Sequence, residues 1–320
     1  MSRLRIAFMG TPAYGAASLQ ALVDAGYQVC GVFTQPDRPR GRRGKTQPPP
    51  VKLLAQQHGI PVYQPARISR DGVDDFRRLQ PDLAVTAAFG QILSQELLDI
   101  PRLGTVNVHA SLLPAYRGSA PVNWCLIHGE TVTGVTTMMT DRGIDTGDIL
   151  LQRQTKIAPD ETAGQLTDRL AAMGAGLLVE TIALLEKGTC PRTRQDERLM
   201  SYHPMLKKEM GRIDWSLPAD RIVNLVRGLN PWPCAFTDSP HDILRLLTAR
   251  AEQGEGAPGT VLEAEGRRGL LVAAGEGAVR VLTMQAQGGK AMPSPDYLRG
   301  HALPPGTLLA SSEREAEGIS

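Results

Sequence analysis

The sequence predicts an α/β fold: a Rossmann-like, doubly wound, mostly parallel sheet followed by a smaller OB-like β-barrel domain. Three observations carry this. The chain opens strand, helix, strand, which is how a doubly wound sheet begins. Continuous short apolar runs then recur with helical stretches between them, as strands buried on both faces do. Beyond about residue 207 the pattern changes to short β runs separated by glycine turns, the habit of small antiparallel barrels. A length of 320 residues accommodates both units. The boundaries read as 1–189 for the first domain, 190–206 for an aperiodic linker, 207–310 for the second domain and 311–320 for an acidic, disordered tail.

In order along the chain, residues 4–9 form a buried strand ending at Gly10. Thr11 then N-caps a helix with Pro12 at its first position, and Gly26 closes it. Residues 28–34 are the second strand. The stretch 35–50 is too rich in proline and glycine for either element, and long structureless loops in compact domains are usually functional. Residues 51–59 read as a helix, 61–63 as a short strand, 69–80 as a surface helix and 83–88 as a buried strand. Residues 105–109, Thr-Val-Asn-Val-His, alternate, so Asn107 and His109 share one face and Val106 and Val108 the other. Pro114 stops the pairing. A helix at 120–128 and strands at 134–139 and 149–157 follow. Residues 162–185 carry a helical apolar stripe that includes Met173 and is capped by Thr162. In the second domain a helix spans 219–227, with strands at 243–249, 259–262, 269–273 and 278–283.

Composition excludes some classes. With 35 Lys/Arg against 33 Asp/Glu the net charge is +2, so any nucleic-acid footprint has to be local. No apolar run reaches membrane-spanning length, and the opening turns to Gly-Thr-Pro before a signal-peptide core forms. Cys30, Cys125, Cys190 and Cys234 form no paired motif and suit a reducing compartment, so a cytoplasmic protein is expected.

The local footprint lies in 35–50, where Arg38, Arg40, Arg42, Arg43 and Lys45 face one acid, Asp37. The loop follows the carboxyl end of the second strand and so overhangs the same sheet edge as His109, where open α/β sheets place their chemistry. Flexible arginines there suit backbone phosphates. It is no P-loop, because Pro39 stands where the first glycine belongs and triple proline replaces the helix. Nor does Gly10-Thr-Pro have dinucleotide-binding spacing.

Chemistry gathers at 104–121 and 141–148. A polar pair at a strand end, with the loop Asp-Arg-Gly-Ile-Asp-Thr-Gly-Asp downstream, lets an acid orient and charge-stabilise His109. A serine triad is excluded because no G-x-S-x-G elbow surrounds Ser111. Asp141, Asp145 and Asp148 lack the calcium-loop pattern and no His/Cys cluster has zinc spacing, so no metal is expected.

Asn107-Val-His-Ala-Ser-Leu-Leu-Pro114, Arg117-Gly118, Pro121, Thr133-Gly-Val-Thr136 and Asp145-Thr-Gly-Asp148 resemble the signature of folate-dependent formyltransferases. Gly10-Thr-Pro12, the run 34–39 and Asn230-Pro-Trp-Pro233 are similar to the members that act on methionyl-tRNA. The resemblance covers about residues 4 to 300 and implies the formyltransferase fold. It implies 10-formyltetrahydrofolate as co-substrate, methionyl-tRNA as acceptor, and no tightly bound cofactor. Asn107, His109 and Asp145 match the family's catalytic positions. Ser111, Leu112, Leu113 and Pro114 match its folate-binding segment, with Phe89 and Gly90 beside it; Phe89 stands where the family usually has tyrosine. The basic loop matches the one that enters the tRNA acceptor end, with Lys207 and Lys208 as further tRNA candidates. The second domain is nearly neutral, 12 Lys/Arg against 11 Asp/Glu over 207–310, so Arg267, Arg268 and Lys290 would have to act as a patch. A monomer is expected.

Overall fold

The computed structural model describes residues 4–40 and 44–309; Arg42, Arg43 and the expected tail lie outside the described residues. The chain forms two compact units, one made of residues up to Pro121, Val132–Lys156 and Thr167–His203, the other of Val122–Thr131, Ile157–Leu166 and the chain from Pro204 on.

In chain order the elements are β1 (Arg5–Gly10), α1 (Ala13–Asp24), β2 (Gln28–Phe33), β3 (Arg38–Arg40), β4 (Lys45–Gln47), α2 (Pro50–Gln57), β5 (Val62–Tyr63), α3 (Ile68–Asp71), α4 (Val73–Arg78), β6 (Leu83–Ala87), α5 (Gln95–Leu98) and β7 (Thr105–His109). There follow β8 (Arg117–Gly118), α6 (Pro121–Ile127), β9 (Val132–Met139), β10 (Ile149–Lys156), α7 (Ala163–Glu186) and β11 (Tyr202–His203). The main sheet of the first unit runs β10-β9-β7-β6-β1-β2-β5. Its strands from β7 to β5 are parallel, and β9 and β10 are antiparallel. The strand order reverses beside β1, and the carboxyl ends of β1, β6 and β7 therefore line one edge. Ala7, Met9 and Phe33 pack on Ile68, Phe76 and Leu97 across one face. On the other face, α7 comes so close that a Cβ on Gly174 would sit 2.8 Å from Val108.

The first unit corrects the sequence expectation in several places. Thr11 does not cap α1, because Pro12 holds that position with no side-chain cap. The Thr11 hydroxyl instead donates to the Phe89 carbonyl (3.1 Å), tying together the ends of two strands. The basic loop is not structureless: β3 and β4 pair as an antiparallel hairpin. The helix expected at 69–80 breaks into α3 and α4 at Gly72. Met173 is only half-buried, so it lies at the margin of the apolar stripe. Thr162, in the stretch that belongs to the second unit, does cap α7, in a reciprocal box: its hydroxyl accepts from Gln165 N (3.4 Å) and Gln165 Oε1 accepts from Thr162 N (3.0 Å).

The second unit contains α8 (Ala219–Leu229), β12 (Ala235–Asp238), β13 (Ile243–Glu252), β14 (Val261–Glu265), β15 (Gly269–Ala273), β16 (Ala278–Ala286), β17 (Met292–Pro293) and α9 (Ser294–Leu298). It is an antiparallel β domain with the path β12-β13-β16-β15-β14 and β17 on β16. Ile222 and Val226 of α8 join Leu244, Leu246, Val272, Val279 and Val281 in its core. β13 and β16 run three residues longer than expected, β14 lies later in the chain than the 259–262 expected, β15 has the expected bounds, and the sequence reading overlooked β12, a four-residue strand. Residues 122–131 and 157–166 pack into this unit although they precede it in the chain: Asn123 Nδ2 donates to Gly228 O (2.7 Å) and Gly164 N to Asn230 O (3.0 Å).

Candidate active site

Strand alternation puts Asn107 and His109 on one face of β7. In-register pairing sets Asn107 beside Thr86 of β6, and His109 beside Thr136 of β9. The Thr86 hydroxyl donates to Asn107 Oδ1 (2.9 Å). His109 is 6% exposed, and its Nε2 lies 2.9 Å from the Tyr116 carbonyl, which can only accept, so Nε2 carries a hydrogen there.

Asp145 reaches the pair from the acidic loop. Its Oδ1 accepts from Asn107 Nδ2 (3.3 Å) and its Oδ2 accepts from Gly118 N (2.9 Å). Oδ2 also stands 3.6 Å from His109 Nδ1, close enough for charge but too long for a hydrogen bond. A carboxylate can only accept, so it fixes which end of the Asn107 amide points inward. One N–H of that amide is committed to Asp145, and among the described residues the second has no hydrogen-bond acceptor. Asp145 adopts a left-handed backbone, φ +55°, as do Ala88 (+49°) and Tyr116 (+61°) around the same edge. The loop is also held tight at Gly147, where a Cβ would fall 1.9 Å from the Met139 carbonyl. Asp141 belongs to the loop's own closure: its Oδ1 accepts from Gly143 N (3.0 Å) and Thr146 Oγ1 (2.6 Å). Among the described residues no group of three or more His, Cys, Asp or Glu is placed to hold a metal ion.

The segment 111–114 is anchored from behind. Thr136 Oγ1 donates to Ser111 O (2.7 Å) and accepts from Leu113 N (3.1 Å), while Gln152 Nε2 donates to Leu113 O (2.8 Å). Ser111 and Leu113 are buried, which leaves Leu112 and Pro114 half-buried. Phe89 is buried and Gly90 exposed, and both their carbonyls accept from Gln35 Nε2 at 3.3 Å. Gln35 Oε1 in turn accepts from Arg38 Nη2 (3.2 Å), which connects the root of the basic hairpin to this edge. Lys52 and Gln64 brace the same root through Asp37, whose carboxyl is held below the usual range by their hydrogen bonds. Arg38 is exposed on β3; Arg40 and Lys45 lie on β3 and β4.

Two residues that hold the site were not foreseen in that role. Gln195, in the stretch read as a linker, is buried, and its Nε2 donates to the Asp145 and Gly147 carbonyls, each at 2.8 Å. Arg117, quoted only as part of the resemblance, is buried against Gln195 Oε1 and pairs with Glu197 (2.8 Å). The signal for Arg117 was its type, since a buried guanidinium needs partners. No signal pointed to Gln195.

In the second unit Lys207 and Lys208 are exposed. Lys208 lines a cleft of about 320 Å³ with Trp232, Phe236 and Arg245. Arg267 and Lys290 are exposed, while Arg268 lies 3.7 Å from both Glu252 and Glu263.

A family model described as formyl transferase matches residues 4–182, and one described as formyl transferase, C-terminal domain, matches residues 205–302. The chain is 51% identical over 314 residues to a methionyl-tRNA formyltransferase of Geotalea uraniireducens, covering 98% of this chain and 100% of that one. It is 50% identical over 313 residues to a methionyl-tRNA formyltransferase of Geobacter sulfurreducens, covering 98% of each. Among solved structures, the sugar 3N-formyl transferase WlaRD, with dTDP and 5-N-formyl-THF, has a TM-score of 0.66 at 17% identity over 87% of this chain and 97% of its own. HypX from Aquifex aeolicus, in complex with tetrahydrofolic acid, has a TM-score of 0.66 at 19% identity over 93% of this chain; the match spans 47% of HypX. At those identities the structural likeness speaks for the fold.

Proposed function

The chain belongs to the methionyl-tRNA formyltransferase family, and on that premise we propose that it moves the formyl group of 10-formyltetrahydrofolate to the α-amino group of methionyl-tRNA through Asn107, His109 and Asp145. The observation that supports the residue assignment is the meeting of these three side chains, 107, 109 and 145, within 3.6 Å at the carboxyl end of parallel strands.

The amine attacks the formyl carbon directly. A C–N bond forms to the methionyl nitrogen, the bond to folate N10 breaks through a tetrahedral intermediate, and one proton passes from the amine to N10. The free N–H of Asn107 stabilises the oxyanion, a donor whose loss typically costs about 10²–10³ in rate. His109 relays the proton, and Asp145 stabilises the ring while it is charged. Leu112 and Pro114 hold the pterin, with Ser111, Leu113, Phe89 and Gly90 supplying backbone and shape. Arg38, Arg40, Arg42, Arg43 and Lys45 bind phosphates of the acceptor arm, and Lys207 and Lys208 add contacts from the second unit. Free thiols at Cys30, Cys125, Cys190 and Cys234 suit a cytoplasmic enzyme, and we take it to act as a monomer.

The test is formyl transfer to purified methionyl-tRNA, with an amino-sugar nucleotide and glycinamide ribonucleotide as parallel acceptors. Product with the charged tRNA alone is expected; turnover only with a small acceptor overturns the reading. The double variant Arg42→Ala/Arg43→Ala should raise KM for tRNA and flatten its salt dependence by a slope of about 1–2. A change confined to folate KM would remove the basic loop from the tRNA interface.

A further inference from the structure

We propose that Gln195 is a positioning residue for catalysis: it acts through Asp145, holding that carboxylate in the one backbone conformation from which it meets Asn107 and His109. This rests on the role of Asp145 proposed above and extends it to a residue outside the catalytic set.

Residues 193–203 form a strap across the first unit, pinned at both ends. At one end Thr193 and Ile149 exchange backbone hydrogen bonds (2.8 and 2.9 Å) just after the acidic loop. At the other end Arg117 N donates to Ser201 O (2.8 Å), Ser119 N to His203 O (3.2 Å), and β11 pairs with β8 just after the His109 loop. Tyr116, whose carbonyl holds His109, stacks on His203 with ring centroids 5.0 Å apart. The strap therefore touches the segments that follow two of the three proposed catalytic side chains.

Gln195 lies between the two pins, 5% exposed, with every amide function committed. Its two N–H groups reach Asp145 O and Gly147 O, and Oε1 accepts from Arg117 Nε (3.0 Å) and Nη2 (2.8 Å). Carbonyls only accept and a guanidinium only donates, so the amide has one possible orientation. Asp145 is thus clamped from both sides: its carbonyl by Gln195, its carboxylate by Gly118 N. A non-glycine residue at φ +55° persists only where its surroundings over-determine it, and Gln195 supplies the backbone half of that constraint. Its hydrogen bonds go to two backbone carbonyls and to Arg117, not to the side chains of Asn107, His109 or Asp145, so its effect must pass through Asp145.

Gln195→Ala should lower kcat roughly 10- to 100-fold, with KM for folate and for tRNA within about twofold, as misplacement of a catalytic group does. Gln195→Glu keeps the shape and the pairing with Arg117 but cannot donate to the two carbonyls. It should show the same kcat loss, and because a buried carboxylate oxygen then faces two carbonyl oxygens its Tm should fall too, so positioning is separated from folding by the two readouts that follow. In an Asp145→Ala background, adding Gln195→Ala should cost nothing further in single-turnover rate, because the two act as a unit. The ring resonances of His109, read by NMR, should move in Gln195→Ala in the direction they move in Asp145→Ala. Full additivity with Asp145→Ala, a loss in KM alone, or wild-type kcat in Gln195→Glu overturns the proposal while leaving the catalytic assignment standing. Wild-type kcat in Asp145→Ala overturns both.

Discussion

The two units each bury a charged cluster, and the two are built to opposite ends. In the second unit Arg280, only 1% exposed, sits mid-strand on β16. Its guanidinium makes four hydrogen bonds to protein oxygens: Nε and Nη2 to Glu252 Oε2 (3.1 and 2.9 Å), Nη2 to Glu263 Oε2 (2.7 Å), and Nη1 to the Arg268 carbonyl (3.4 Å). Glu252 takes a further ion pair from Arg250 at 2.7 Å. In the first unit the Asn107–His109–Asp145 cluster is just as local but left open. The His109–Asp145 approach is 3.6 Å, and among the described residues one N–H of Asn107 has no acceptor. Saturated pairs rigidify; a pair kept short of saturation can tighten when charge develops on it. On the proposed reading, the difference separates ion pairs at hydrogen-bonding distance that brace a sheet from a looser cluster that meets a substrate.

The largest effect is expected at His109. His109→Ala should reduce turnover about 10²–10⁴-fold, the range of a lost general acid–base group, while folate still binds. Unchanged turnover in a rapid-quench assay would put the open cluster in the same structural class as Arg280. The converse holds for Arg280→Met. Breaking a buried pair from one side costs about 3–5 kcal/mol, and here the low end applies because Glu252 and Glu263 are partly exposed. Urea unfolding should show that loss in the second unit's transition, with kcat unaffected. A fall in kcat at unchanged stability would erase the distinction between the clusters.

A smaller effect is expected at Thr86, which touches no substrate in this reading but aims the Asn107 amide. Thr86→Val keeps the β-branched shape on a central strand and removes one hydroxyl. It should lower kcat about tenfold, the equivalent of a single orienting hydrogen bond at about 1.4 kcal/mol. Wild-type kcat would mean that Asp145 alone orients the amide.

The parts of this design that could be read from sequence are those with short-range signals. Alternation over 105–109 set Asn107 and His109 on one face, and the glycine-punctuated loop marked where an acid would approach. Hydrophobic runs identified the central strands. The pairing of β3 with β4 escaped because three-residue strands, one with a central proline, carry no periodic signal, and α3–α4 read as one helix because Gly72 is a single interruption. Gln195 escaped for a stronger reason. It meets Arg117 across 78 positions and Asp145 across 50, in a stretch with no pattern, and a glutamine looks alike whether solvated or fully bonded. Long-range polar pairing leaves no trace in local composition.

The smallest predicted effect tests whether the acid limb of stability belongs to the closed pairs. Hydrogen bonding from Arg280 holds the Glu252 carboxyl below its ordinary range, and hydrogen bonding from Arg117 does the same to Glu197 on the strap. For a carboxylate whose folded value is depressed, the native state binds fewer protons than the unfolded chain. The stabilisation is therefore fully present above the ordinary carboxylate value and is lost as pH falls through the folded value. Urea midpoints should hold steady from neutral pH down to about pH 5 and then decline. Arg280→Met should flatten that decline in the second unit's transition, and Arg117→Met should flatten it in the first unit's. Because Glu197 is exposed, solvent and salt screen its pair more, so the Arg280 variant should show the greater flattening. Equal flattening in both would mean that the strap pair is as closed as the sheet pair, and that the first unit has one saturated cluster standing directly behind its open one.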